Sequence, residues 1–388
     1  MPAREDIHYF GAGPAALPTS VLEQASKDLL NFQDIGLGLG EISHRSSQGQ
    51  GVVDDAKAHL KELLHIPDSY DTVFFQGGGT GAFAAIAYLF MKYHVAKYNR
   101  VGQANYIVTG GWSDKAAKEA VKLLGESNVQ IAADTKKSTG SWTSVPSPDE
   151  LSLSADPAYV YYCDNETVHG VEPAADLYTG IDAPLVADMS SNFLSRPFDI
   201  TKYAAVVAGA QKNVGIAGVT IAIIRKEILD AKIEPSILQK EYGLPVAPTT
   251  LDLSILAANG SLYNTLPIFT LHVTDLTLRH LIAAGGLSEY GKKAQEKSAK
   301  IYSVIDEYPE LYQCPVKKDC RSEMNIVFRL AGGDAQEADF IKKAGALGIS
   351  GIKGHRSVGG IRVSNYNAIQ DQSVDILVDF MRSYAKAE

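Results

Sequence analysis

The stretch VFFQGGGTGAF, residues 73–83, decides the fold class of this chain. The run DTVFFQ (71–76) is rich in β-branched and aromatic residues, which predicts a buried strand, and GAFAAIAYLFMKYHV (81–95) predicts a helix. The glycines between them present backbone N–H groups and a helix N-terminus, a combination that binds phosphate. No Gly-Lys-Ser/Thr follows, so the turn is not a P-loop, and residues 83–113 contain no acid for a dinucleotide ribose. Two interpretations of the turn stay open: it binds a smaller phosphate group, or it only packs against its neighbours.

Apolar strands and helices continue to alternate from this stretch to about residue 226. A helix is predicted for WSDKAAKEAVKLLG (112–125), and strands are predicted for NYIVTG (105–110), AYVYYCDN (158–165), PLVADMSS (184–191), AAVVAGAQ (204–211) and VTIAIIRK (219–226). Continuous apolar strands separated by helices indicate an α/β fold with a mostly parallel sheet that is covered on both faces. Ligands of such sheets bind beyond the carboxyl ends of the strands.

The pattern changes after about residue 268, which predicts a second domain. The helix-like stretches there are 274–306 and 335–346, and they alternate with two short predicted strands, MNIVFRL (324–330) and GGIRVS (359–364). We therefore predict a large domain of residues 17–268 and a smaller α+β domain of residues 269–388, to which the N-terminal segment 1–16 belongs. The composition of KKSTGSWTSVPSPDE (136–150) predicts a surface connection.

The composition is that of an ordinary globular protein, with 388 residues, 45% hydrophobic and 21% charged, and a net charge of −9. That charge argues against nucleic acid or an anionic membrane as a general partner. Three cysteines without C-x-x-C spacing indicate neither disulfides nor a zinc site, and no metal is expected. The N-terminus lacks the apolar core of a signal peptide, and no apolar run approaches the roughly 18 residues of a membrane span. The sequence predicts a soluble, cytoplasmic protein.

A lysine and an aspartate follow two of the predicted strands. Lys212 lies in VVAGAQKNVGIAG (206–218), among small residues where a solvated lysine is not expected, and a confined lysine commonly forms a Schiff base. Asp188 ends the apolar run of LVAD. A carboxylate beside such a lysine suits pyridoxal phosphate, because it keeps the pyridine nitrogen protonated and lets the ring draw electrons from the substrate. The alternative is a structural Asp–Lys ion pair.

Two further residues are candidates for contacts with a cofactor ring. Trp112 follows a predicted strand, so its face could stack on the ring, although core packing is the alternative for a tryptophan taken alone. Thr167, in NETVHG, could donate to a ring hydroxyl or to a phosphate.

The tripeptide His-Arg-Ser occurs twice, in ISHRSSQG (42–49) and in KGHRSVGGIR (353–362), although the chain has only nine histidines. By chance a His-Arg pair would arise about a quarter of one time. Arginine forks bind carboxylate and phosphate alike, so two of them in an acidic protein indicate an anion site. A salt bridge within each loop is the alternative.

These stretches together resemble the phosphoserine aminotransferases, a family of class V, fold-type I enzymes that depend on pyridoxal phosphate. The resemblance covers nearly the whole chain and runs through FGAGPAALP, GEISHRS, QGGGTGAF, YIVTGGWS, NETVHGVE, ADMSSNFLSRP, AGAQKNVGIAGV, SLYNTLPIF, CRSEMNIVF and GHRSVGGIRVSNYNA. Within the class, ETVHG and GHRSVGGIR are the most specific of them.

The resemblance implies a role for each candidate at the cofactor. Lys212 would carry pyridoxal phosphate as a Schiff base, and Asp188 would pair with its pyridinium nitrogen. Trp112 would stack on the ring and Thr167 would bond its edge. The cofactor phosphate would be held by Gly79, Thr80 and Gln211 of this chain. Asn264 and Thr265 of a second subunit would complete its binding site.

The resemblance also implies how the substrates bind. Arg362 would take the α-carboxylate. The side-chain anion would be received by basic residues of the two His-Arg-Ser motifs, namely Arg45, His355 and Arg356, with His44 beside them. Two positions depart from the family pattern, because Thr80 stands where some relatives have a basic residue and Ala82 where many have glutamine.

The implied activity is transamination between glutamate and 3-phosphohydroxypyruvate, which yields 2-oxoglutarate and phosphoserine. The pathway would be serine synthesis, with formation of the vitamin B6 precursor phosphohydroxythreonine in some organisms. The implied assembly is a homodimer with shared active sites, in which Asn264, Thr265, His355 and Arg356 lie across the two-fold interface.

Two other activities remain open at this stage. A cysteine desulfurase shares the fold type but needs a cysteine on a mobile loop, and Cys163 falls in a predicted buried strand, which leaves Cys314 or Cys320. A non-catalytic phosphate-binding protein on the same scaffold predicts a defect at Lys212, at Asp188 or among the candidate arginines, and all of these residues are intact.

Overall fold

The protein is an α/β structure, and the computed structural model describes residues 3–387. The helices are α1 Thr19–Leu30, α2 Ser47–Leu64, α3 Gly78–Tyr98, α4 Gly111–Leu124, α5 Thr135–Thr139, α6 Lys226–Leu229, α7 Pro235–Lys240, α8 Leu253–Ala258, α9 Ile268–Ala283, α10 Gly286–Glu307, α11 Gly333–Gly345 and α12 Asp371–Ala387. The strands are β1 His8–Tyr9, β2 Tyr70–Phe75, β3 Gln103–Val108, β4 Val129–Asp134, β5 Pro157–Cys163, β6 Leu185–Asp188, β7 Ala205–Gly209, β8 Thr220–Arg225, β9 Tyr312–Gln313, β10 Asn325–Leu330, β11 Ile349–Ser350 and β12 Ile361–Ser364.

The large sheet has seven strands in the order β2-β8-β7-β6-β5-β3-β4. Strand β8 runs antiparallel to both of its neighbours, and the other pairs are parallel. The prediction of a mostly parallel sheet is therefore confirmed. Strand β4 was not predicted from the sequence. It lies at the edge of the sheet and is mostly half-buried, so it lacks the continuous apolar run of the central strands.

Two hydrophobic cores lie on the two faces of this sheet. Successive residues of a strand point to opposite faces, and so Tyr161 belongs to one core while Tyr162 belongs to the other. Helices α3 and α4 cover the face to which Tyr161 belongs, and Phe90 of α3 is fully buried there. Helices α2 and α9 cover the second, through residues such as Leu60 and Leu271. Burial on both faces explains why the central strands are apolar throughout.

A smaller sheet of three antiparallel strands, in the order β12-β10-β9, follows along the chain. Its hydrophobic core includes residues of α10, α11 and α12. Strand β1 of the N-terminal segment pairs with β11, so this segment lies with the C-terminal part of the chain. Helix α9 packs instead on α1 and α2. The domain boundary near residue 268 stays a prediction.

Two predicted stretches are more complex in the structure than the sequence indicates. The stretch 274–306 is not one helix, because α9 ends and α10 begins around Gly285, whose φ of 101° is a left-handed conformation that a helix interior does not allow. The segment 136–150 is more than a surface connection, since it begins in α5 and then contributes to the cavity described below. Within residues 3–387, every helix is too short or too polar to span a bilayer.

Candidate active site

The candidate site lies at the carboxyl ends of neighbouring parallel strands. Asp188 is the last residue of β6 and pairs in register with Cys163 of β5 and with Val207 of β7. The loops after β5 and β7 carry Thr167 and Lys212. Because parallel strands end at the same edge of a sheet, residues that are distant in sequence meet here, as predicted.

Lys212 is the centre of the site. Its side chain is buried, and Nζ donates a hydrogen bond to Oγ1 of Thr167 at 2.8 Å. Burial lowers the pKa of the Lys212 amine to about 8, because the ammonium form loses its hydration, and the nearby carboxylate of Asp188 opposes only part of this shift. The amine is therefore partly neutral near pH 8, which makes Lys212 a competent nucleophile.

Asp188 is buried and held in a fixed orientation. Its Oδ1 accepts hydrogen bonds from the backbone N–H and the hydroxyl of Ser190, at 2.9 and 2.6 Å, and its Oδ2 accepts one from the hydroxyl of Tyr161 at 3.1 Å. The amine of Lys212 is hydrogen-bonded to Thr167 rather than to Asp188 in the described chain. The charge of Asp188 still opposes the lowering of the Lys212 pKa, so the two side chains interact without a direct ion-pair contact.

Trp112 lies beside this lysine, with its ring centroid 5.6 Å from Nζ of Lys212. The tryptophan is oriented by Glu166, a fully buried residue that sequence reasoning missed. The Glu166 carboxylate accepts hydrogen bonds from the backbone N–H of Trp112 at 2.9 Å and of Ser113 at 2.8 Å, at the N-terminus of α4. Burial raises the pKa of the Glu166 carboxyl, and the hydrogen bonds from the first turn of α4 oppose only part of this shift. The sequence carries no signal for this role, since the motif NETVHG does not show what its acid contacts.

A cradle for an anion lies at the start of α3. Gly77 and Gly78 have φ values of 140° and 59°, left-handed conformations that favour glycine. The first N–H groups of α3, including those of Gly79 and Thr80, have no acceptor within the helix. Nδ2 of Asn264 donates to the side-chain oxygen of Gln76 at 2.8 Å, so Asn264 lies at the glycine turn of its own chain.

Of the other two residues predicted to hold the cofactor phosphate, Gln211 is half-buried and Thr265 is at the surface. The backbone oxygen of Gln211 accepts from Ala15, and its side chain folds over Gly209. Whether these side chains contact a phosphate stays a prediction.

A cavity of about 660 Å³ adjoins Trp112 and is rich in basic side chains. Three of the predicted substrate residues line it, namely His355, Arg356 and Arg362. Three residues that were not predicted line it as well: His169, Trp142 and Lys136. Arg362 donates to the backbone oxygen of Thr167 at 3.5 Å, and its Nε is buried without a hydrogen-bond partner in the described part of the chain. Such an orphaned, partly buried cation is suited to receive a carboxylate.

The first His-Arg-Ser motif does not line this cavity. His44 and Arg45 precede α2, whose first turn is capped by the hydroxyl of Ser46 accepting from Gly49 at 3.1 Å. Arg45 is exposed in the single chain. The resemblance implies that the second motif reaches the site from another subunit, but its His355 already shares the cavity with Trp112 within one chain.

The three cysteines do not support sulfur chemistry at this site. Cys163 is buried in β5, as predicted, and burial raises the pKa of its thiol well above the ordinary value. Burial also raises the pKa of Cys314, and raises that of Cys320 to about 11. Neither of the latter two lines the cavity. A desulfurase needs an accessible thiolate, and none of these residues provides one.

Comparison with known proteins agrees with this geometry. Residues 7–377 match the model of the class-V aminotransferase family. The chain is 43% identical over 392 residues to phosphoserine aminotransferase of Saccharomyces cerevisiae, covering 99% of this chain and 98% of the relative. It superposes with a TM-score of 0.87 on the enzyme from Bacillus circulans subsp. alkalophilus, at 38% identity and with 97% and 98% of the two chains covered. The PLP-bound enzyme from Trichomonas vaginalis gives the same TM-score at 34% identity, with 97% and 99% covered. The chain thus belongs to the phosphoserine aminotransferases of the class-V aminotransferase family.

Proposed function

We propose that the protein transfers the amino group of glutamate to 3-phosphohydroxypyruvate, forming phosphoserine and 2-oxoglutarate, in the synthesis of serine. The observation that carries this proposal is the buried amine of Lys212, 2.8 Å from Thr167, next to a cavity lined by Arg356 and Arg362. A reactive lysine and a basic cavity in one site are what amino-group transfer between substrates with an anionic group at each end requires. Phosphohydroxythreonine is a second proposed product, since it carries the same phosphate and amino groups.

The residues of the site fit pyridoxal phosphate as the cofactor. Lys212 would hold it covalently, Asp188 would keep its pyridine nitrogen protonated, and Trp112 would stack on the ring. Its phosphate would bind the free N–H groups of Gly79 and Thr80 at the start of α3, a donor set that suits this group. When bound, pyridoxal phosphate supplies the withdrawal of electrons from the substrate Cα and the temporary storage of the amino group.

The chain's own residues position the substrate and move its proton. Arg362 would bind the α-carboxylate, because its Nη1 contacts the backbone oxygen of Thr167, whose hydroxyl contacts Lys212, while its Nε has no partner in the described chain. Nζ of Lys212 would then accept the proton of the substrate Cα, for which a lowered pKa is an advantage near neutral pH. Arg356 and His355 would bind the anion at the other end of the substrate.

The direct test is transamination by the purified protein. Phosphoserine and 2-oxoglutarate should be converted to glutamate, measured by a coupled glutamate dehydrogenase assay. Serine and alanine at the same concentration serve as matched amino donors without the phosphate. Faster turnover of serine or alanine than of phosphoserine would contradict the proposed substrate.

The pKa of Lys212 predicts how cofactor attachment depends on pH. The amine that attacks an aldehyde is the deprotonated form, and its fraction rises as the pH passes the folded-state pKa of about 8. An ordinary lysine, with a pKa of about 10.4, would stay protonated over that range. The rate of covalent reconstitution of the cofactor-free protein should therefore rise up to about pH 9 and then level off. The same reaction with N-acetyl-lysine, measured in parallel, corrects for any effect of pH on the aldehyde itself. A protein rate that keeps rising above about pH 9, as the rate with N-acetyl-lysine does, would contradict the lowered pKa.

From the family resemblance, we also propose a homodimer in which each site uses Asn264 and Thr265 of the other subunit, although Asn264 contacts Gln76 of its own chain in the single chain. Asn264→Asp would place a carboxylate beside the cofactor phosphate and should inactivate the site through charge repulsion. If Lys212→Ala and Asn264→Asp subunits are mixed, one site per mixed dimer combines the two intact halves. Mixed dimers should therefore recover activity that neither variant has alone. Differently tagged subunits confirm the mixing, and tagged mixed dimers without activity would contradict shared sites.

A cytosolic location is part of the same proposal. Its support is that the cysteines are unpaired, as expected of a reducing compartment. Activity assays on fractionated cells would test it.

A further inference from the structure

His169 lies in the wall of the substrate cavity, and the mechanism described above does not use it. Building on the proposed function, we propose that His169 is a further specificity-determining residue, whose Nε2–H donates a hydrogen bond to the phosphate group of phosphoserine.

The hydrogen bonding of the ring fixes which nitrogen carries the proton. The backbone N–H of Gly111, the first residue of α4, donates to Nδ1 of His169 at 3.2 Å. A backbone N–H can only donate, so Nδ1 must be the unprotonated acceptor of the neutral ring, and the proton resides on Nε2. Nε2 of His169 has no hydrogen-bond partner in the described chain, and it is not a buried atom. Because His169 lines the cavity, Nε2 is open to it.

The neighbours of His169 keep the ring neutral and in place. Burial, with the positive charge of Lys136 and of His355, lowers the pKa of the His169 imidazole to about 4. The ring of Trp142 packs edge-on against it, with the centroids 4.9 Å apart. His169 is thus a rigid neutral donor in a basic cavity, and donation to an anion needs no change of its protonation state.

A phosphate and a carboxylate should use this donor differently. One arginine fork can occupy both oxygens of a carboxylate, whereas a phosphate monoester has three terminal oxygens. With Arg356 bound to two of them, an acceptor is left for the Nε2–H of His169. The donor should therefore favour phosphoserine over glutamate.

Two substitutions separate this role from a structural one. In His169→Asn, the side-chain oxygen takes the place of Nδ1 and still accepts from Gly111, but the distal donor is lost. In His169→Gln, the amide nitrogen takes the place of Nε2 and keeps the distal donor, while the acceptor for Gly111 is lost. The readout is kcat/KM of the phosphoserine and glutamate half-reactions of the holoenzyme, followed by cofactor absorbance.

We expect His169→Asn to lose about 10- to 100-fold with phosphoserine, as for a hydrogen bond to a charged group, and much less with glutamate. His169→Gln should retain most of the phosphoserine rate. The opposite order, or equal losses with both substrates, would show that His169 only supports Gly111. In the wild-type holoenzyme, ¹⁵N NMR of the ring should show Nε2 protonated, and the other tautomer would overturn the inference whatever the variants do. A wild-type enzyme inert towards phosphoserine but active with other donors would instead refute the proposed function, and the inference with it.

Discussion

Lys212→Ala should abolish covalent attachment of the cofactor and nearly all turnover. Loss of the amine that moves the substrate proton by itself costs about 100- to 10,000-fold in rate, and loss of the covalent link adds to it. The cofactor should still bind non-covalently, through the anion cradle at the start of α3 and through Asp188. Borohydride reduction followed by mass spectrometry of the intact protein measures the covalent fraction, and the steady-state assay measures turnover.

Lys297 provides the matched control. It is also a buried lysine whose pKa burial lowers to about 8, but its amine donates to the backbone oxygens of Tyr366 and Ile369 at 3.2 and 2.9 Å. Lys297→Met should lower the melting temperature, because those carbonyls lose their donor, and should leave borohydride trapping intact. Trapping retained in Lys212→Ala and lost in Lys297→Met would show that the wrong lysine has been assigned.

Arg362→Ala should lower kcat/KM for the phosphoserine and glutamate half-reactions alike. Both substrates carry the α-carboxylate that Arg362 is proposed to bind, and its Nε has no protein partner in the described structure. Truncating one member of a buried charged pair costs about 2–5 kcal/mol, or roughly 30- to several thousand-fold in kcat/KM. Single-turnover kinetics at fixed ionic strength measure the loss, since salt screens these interactions. A loss confined to one substrate would contradict α-carboxylate binding.

Arg356→Ala is the companion variant, because Arg356 lines the same cavity but is proposed to bind the distal anion. A doubly charged phosphate should depend on it more than a single carboxylate does, so phosphoserine should lose more than glutamate. Equal losses would remove the phosphate-recognition role of the second His-Arg-Ser motif.

Much of the fold followed from local sequence patterns. The central strands were predicted because burial on both faces demands unbroken apolar runs, of which β5 and β7 are clear cases. Lys212 and Asp188 were recognised for the same reason, as charged residues that directly follow such runs. The edge strand β4 was missed, since its half-buried residues carry no such signal.

The site was only partly predictable. Glu166 and His169 each contact the start of α4 across more than 50 residues of sequence, at separations of 54 to Trp112 and 58 to Gly111. Nothing in NETVHG alone indicates that its acid meets a helix N-terminus or that its imidazole faces a cavity. Trp142 was missed because a polar, glycine-containing segment resembles an ordinary surface loop.

The sequence by itself determined the fold class and the family and singled out Lys212 as the candidate reactive lysine, because these depend on apolar periodicity and on short motifs that are contiguous in the chain. Only the tertiary structure decided which polar groups meet at the ends of the strands: that Thr167 binds the Lys212 amine, that Glu166 orients Trp112, and that the second His-Arg-Ser motif shares a cavity with Arg362 while the first does not. The physical reason is that hydrogen bonds and burial act between atoms a few ångströms apart, whatever their separation along the chain.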